Sequence, residues 1–110
     1  MLQRVLLKRT TLIQLRRATL SSLLFDSSTK LDESSVDGVH TMERLGDQWS
    51  ISKIPNGGYM AAIVITAARR DIDFRDVLCV HGHYLAKGVP NERVEVRTRN
   101  LHVGRSFATV

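Results

Sequence analysis

Ile54-Pro55-Asn56-Gly57-Gly58-Tyr59-Met60-Ala61-Ala62-Ile63-Val64-Ile65-Thr66-Ala67-Ala68-Arg69-Arg70 is the stretch on which the fold turns. Pro55 disfavours helix at Ile54, and Asn56 is a good N-cap, with an oxygen able to accept from an early helical N–H. The pattern predicts a helix from about Gly57 to Arg70, ending in two cations where the helix dipole favours them. Between Tyr59 and Ala68 the only markedly polar side chain is Thr66. Ala61, Ala62, Ile63, Val64, Ile65 and Ala67 go right round the cylinder. A helix apolar on every side is enclosed by other structure rather than laid on a surface.

The enclosing material has to come from the flanks. Upstream, Val39–Leu45 and Gln48–Ile51 read as two short strands joined by a turn at Gly46–Asp47. Downstream, 71–76 is a polar connector, and Val77–Lys87 reads as a long strand with Val80 and Tyr84 on one face and His81 and His83 on the other. Pro90–Asn91 is a turn. Residues 93–99, Arg-Val-Glu-Val-Arg-Thr-Arg, alternate without a break, placing charges outward and Val94, Val96 and Thr98 inward. Gly104 marks a further turn, and Ser106–Val110 starts a last strand at an edge of the sheet. Strands with one wet face, around one fully apolar helix, predict an α+β fold with an antiparallel sheet curled about that helix.

Composition narrows the function classes. The chain has 110 residues and a net charge of +5, but the charge is not spread. Residues 1–25 hold Arg4, Lys8, Arg9, Arg16 and Arg17 with no acid, whereas residues 26–110 hold eleven basic and eleven acidic residues. A neutral body argues against nucleic-acid binding, which wants positive charge on the folded surface. The longest unbroken apolar run, Met60–Ile65, is far short of the ~18–20 residues of a transmembrane span. The single cysteine, Cys79, cannot cross-link the chain to itself, so stability comes from packing. The leader, residues 1–25, is basic and rich in Leu, Thr and Ser. Wound as a helix it gathers Leu2, Val5, Leu6 and Ile13 on one side, but Leu7, Arg9 and Arg16 spoil the separation. It reads either as an organellar transit peptide, which would make the protein mitochondrial, or as an extension with no targeting role, which would leave it cytoplasmic. Residues 26–38 read as a polar linker or a short irregular entry, with a turn at Asp37–Gly38.

Three pieces then coincide in order and spacing. They are Trp49 followed by Ile54–Ala62, the strand Val80-His81-Gly82-His83-Tyr84-Leu85, and Val94-Glu95-Val96 leading to Gly104-Arg105-Ser106-Phe107. Together they resemble the N-terminal half of the acyl-CoA thioesterase-like proteins of the thioesterase II type, which have a double hotdog fold. The resemblance covers roughly residues 25–110 and implies a long helix wrapped by an antiparallel sheet. It implies hydrolysis of fatty acyl-CoA thioesters without a cofactor, and a partner hotdog repeat or a second copy of the chain. It also implies that 26–110 is the first of two repeats, cut short at its C-terminal end. The family's catalytic Asp, Thr and Gln lie mainly in the second repeat, so no catalytic residue of this chain is identified. No carboxylate lies between Gly57 and Arg70, where many single-repeat hotdog thioesterases place theirs. The other expectation is a non-catalytic acyl-binding or structural half-domain that needs a partner repeat.

Each chemical candidate has a plainer reading beside it. Asn56, Gly57, Gly58 and Tyr59 are the expected substrate-binding residues. The glycines let a thioester carbonyl come close to N–H groups that lack helical partners, and these could hold the developing oxyanion. Equally, the glycines let the chain turn tightly against the sheet. His81 and His83 share a strand face, but a metal needs further ligands, and His40, His102 and Cys79 are scattered; no metal is expected. Cys79 reads as a small buried strand residue. Ser106 lacks the nucleophile-elbow pattern, and Arg105 reads as an exposed turn residue. Asp71, Asp73 and Asp76 read as a solvated connector.

Overall fold

The helix expected after Asn56 is present and runs Gly57–Arg70. A computed structural model describes residues 2–8, 20–33, 36–72 and 76–110. In chain order these form β1 (Leu2–Lys8), α1 (Leu20–Ser28), β2 (Val39–Met42), a 3-10 turn (Asp47–Trp49), β3 (Ser50–Ile51), β4 (Ile54–Pro55), α2 (Gly57–Arg70), β5 (Asp76–His83), β6 (Val94–Arg97), β7 (His102–Val103) and β8 (Phe107–Thr109). All pairings among these strands are antiparallel. They build a four-stranded sheet in the order β5-β1-β8-β7, a β2-β6 pair and a β3-β4 hairpin. The fold class is α+β, as the strand and helix patterns predict.

The apolar rod lies between the two larger strand layers. On one side Tyr59, Ile63 and Ala67 pack with Leu31, Met42, Leu45 and Val96, which brings in β2 and β6. On the other, Ala68 meets Ile72, Ala108 and Val110, with Ile65 and Val80 packed against them. No residue from Tyr59 to Ala68 is exposed. That is the consequence of apolar side chains all round the cylinder, each large one stabilising the fold by roughly 1.5–3 kcal/mol when buried. β6 shows the expected alternation, with Val96 buried and Glu95 and Arg97 exposed.

Several local expectations differ. Val39–Leu45 does not pair with Gln48–Ile51. β2 pairs with β6, His40 opposite Val96, because the 3-10 turn uses up Asp47–Trp49 and leaves only Ser50–Ile51 extended. That remnant folds onto Ile54–Pro55 through Ser52 and Lys53, at φ 50° and 62°. The long strand expected to reach Lys87 stops at His83, where its partner β1 begins, Leu2 lying opposite His83. The last strand is not at an edge: β8 lies between β1 and β7. Leu2–Lys8, expected as part of a basic leader of helical character, is a strand in that sheet. Residues 9–19 lie outside the described residues, and the point after residue 25 falls inside α1.

Nor is the segment from 26 onward simply a linker. Leu31 is buried, and Arg70 at the end of α2 donates to the Leu31 and Asp32 carbonyls at 2.6 and 2.7 Å. Gly38 makes its turn at φ +69°, where an added Cβ would lie 2.8 Å from the Thr98 carbonyl oxygen. Only glycine satisfies both demands.

Candidate functional site at the start of the long helix

The first turn of α2 is fixed by backbone and cap bonds together. Asn56 donates its N–H to the Trp49 carbonyl at 2.8 Å, and its own carbonyl accepts from Met60 N–H at 3.0 Å. Its side-chain Oδ1 accepts from Gly58 N–H at 2.7 Å, the N-cap bond that the sequence predicts. One consequence bears on the expected chemistry: the Gly58 donor, one of the two assigned to an oxyanion, is already held by the cap. Gly57 N–H has no acceptor within the helix, and no oxygen among the described residues accepts it.

Of the four residues expected to meet substrate, Asn56, Gly57 and Gly58 are exposed together at this helix end. Tyr59 is turned inward and only 2% exposed. Its hydroxyl donates to the Ser28 carbonyl at 2.8 Å and accepts from Gly46 N–H at 3.1 Å, tying α1 to the loop before the 3-10 turn. The tyrosine that does meet the helix start is Tyr84. Its hydroxyl donates to the Gly57 carbonyl at 2.7 Å, and its ring lies where a Gly57 Cβ would approach to 3.4 Å. Sequence reading passed over Tyr84 because it is 27 positions from Gly57.

Two grooves flank this turn. One, of about 640 Å³, runs between Ile54, Pro55, Gly57 and Met60 on one wall and Tyr84–Gly88 on the other. The second, of about 530 Å³, is bordered by Phe25, Trp49, Ile51, Asn56 and Gly58, with Tyr59 contributing to it. Trp49 stacks edge-on to Phe25, with ring centroids 5.0 Å apart. No Asp, Glu or His lines either groove. Apolar side chains make up much of both linings, with Gln48 and Ser50 also in the second.

The remaining candidates fall elsewhere. His81 and His83 face each other on exposed β5 with ring centroids 5.0 Å apart. Among the described residues no group of three or more potential metal ligands exists. Cys79 is exposed, not buried as expected, because it points away from the helix side of β5, where Val80 packs. Asp71 is not a solvated connector. At the far end of α2 its carboxylate accepts from Thr98 Oγ1 and lies 3.0 Å from His40 Nε2. His40 is 5% exposed, and its Nδ1 is buried without a partner among the described residues. Asp73 lies outside the described residues; Asp76, at the start of β5, and Arg105 are exposed. Among the described residues no helix is long and apolar enough to cross a membrane.

Comparison with known proteins adds one match. The family model described as "Acyl-CoA thioesterase N-terminal domain" matches residues 45–110, more than half of the chain. The matched region holds the 3-10 turn, the capped start of α2 and strands β3 to β8. No curated protein and no solved structure matches.

Proposed function

This chain belongs to the acyl-CoA thioesterase N-terminal domain family, and on that premise we propose that it acts on fatty acyl-CoA thioesters as one hotdog unit of a thioesterase. The start of α2 receives the thioester carbonyl. The Gly57 N–H, at the positive end of the helix, faces the oxygen on which charge develops as water attacks. The acyl chain lies on the apolar residues beside that turn. The observation that carries this reading is the family match over the segment in which Asn56, Gly57 and Gly58 open a long helix between two apolar grooves.

The water-activating carboxylate is supplied by a second hotdog unit, in a partner repeat or another copy of the chain. A second reading follows from the lining of the grooves, which contains no acid and no histidine: this unit alone binds acyl thioesters without hydrolysing them.

The test is direct. The full chain is incubated with acyl-CoAs of graded length, while thiol release and binding are both followed. Turnover that Gly57→Val lowers by about tenfold or more, because the added side chain keeps the thioester carbonyl from reaching a backbone N–H that the substitution leaves in place, supports hydrolysis in this chain. Binding with no turnover supports the half-site reading. Neither binding nor turnover overturns both.

A further inference from the structure

Tyr84 stands at the point where strand, helix and groove meet, outside every role assigned so far. Its hydroxyl is bonded to the Gly57 carbonyl at 2.7 Å, and its ring forms the wall of the groove of about 640 Å³ opposite Ile54, Pro55 and Met60. β5 has already ended at His83, so Tyr84 is held by this bond rather than by a ladder. The ring packs directly over Gly57, where a Cβ would meet it in van der Waals contact at 3.4 Å.

We propose that Tyr84 is the positioning residue that anchors Gly57 through its carbonyl, and so steadies the residue whose N–H is offered, and the wall that sets the length of acyl chain the groove accepts. This rests on the acyl-CoA reading above and adds to it a choice between the two grooves. The second groove borders Gly58, whose N–H is occupied by Asn56. The Tyr84 groove borders Gly57, whose N–H no described residue accepts. Its walls are mostly apolar, Ile54, Pro55, Met60, the Tyr84 ring and the 78% exposed Leu85, and Lys87 is the one charged residue that lines it. A mostly apolar trough with a cation among its lining residues is complementary to an amphiphile with one greasy chain and an anionic head, which is what an acyl-CoA is.

Non-hydrolysable thioether analogues of CoA carrying chains of graded length, from short to long, separate the two roles in the full chain. Tyr84→Phe keeps the wall and removes the bond. It leaves the chain-length profile unchanged, while amide exchange in the first turn of α2 rises about fivefold, as for one lost hydrogen bond. Tyr84→Trp narrows the groove. It weakens the longest analogue about tenfold, equivalent to two methylenes denied burial, with the shortest changed less than about twofold. An unchanged profile in Tyr84→Trp overturns the groove assignment, and unchanged exchange in Tyr84→Phe overturns the positioning role. Failure of the unaltered protein to bind any analogue overturns the acyl-CoA reading and the groove assignment with it.

Discussion

Asp71 closes α2 and gathers two side chains from the opposing strand layer, His40 from β2 and Thr98 just past β6. The pair with His40 is well covered, the two side chains being 6% and 12% exposed. A carboxylate in such a place satisfies donors that would otherwise be stranded, so its removal costs more than the bonds themselves contribute. Asp71→Ala is expected to lower the unfolding free energy by about 2–4 kcal/mol, measured by urea denaturation. Binding of acyl analogues should be unaffected, because the proposed site lies at the other end of a 14-residue helix, about 20 Å away. Asn56 was legible from sequence because its cap bond spans two positions, whereas the His40–Asp71 bond spans 31. Local chemistry is written in local sequence; a cluster assembled from three elements is not. The same distance hid the Tyr84–Gly57 bond, and it hid the partners of the Tyr59 hydroxyl, which is engaged within the fold.

Among the elements, α2 was readable because cap, apolar surface and terminal cations all point the same way. β6 was readable from its period of two. The partner of β2 was not, since strand pairing depends on where the chain turns, and the 3-10 turn at Asp47–Trp49 replaces the expected tight turn at Gly46–Asp47. The hairpin that results places Ser52 and Lys53 at positive φ, a region that costs a non-glycine residue roughly 1 kcal/mol. Lys53→Gly therefore raises stability by about 0.5–1 kcal/mol, seen as a higher melting temperature. β1 lies outside the matched segment, residues 45–110, yet its backbone pairs with both β5 and β8. Val5→Pro removes one N–H from that ladder opposite Val80. Hydrogen exchange of the β5 amides should then accelerate by about tenfold or more, and unchanged exchange would show that β1 does not support β5.

At the scale of the whole molecule, two strand layers hold one apolar helix, and the helix presents its capped end between two grooves. The architecture provides a mostly apolar trough, one lysine in its lining and a helix-end donor, while no acid or histidine lines the grooves. That division of labour is why a second hotdog unit enters the proposed reaction. It also identifies the central claim, that the thioester meets the first turn of α2. Amide NMR of the full chain during titration with a long-chain thioether analogue of acyl-CoA tests it most directly. The account predicts the largest shift at Gly57, with Met60, Tyr84 and Leu85 following along one groove. Shifts centred on the far end of the helix around Asp71, or on the outer face of β5 around His81 and His83, would contradict it.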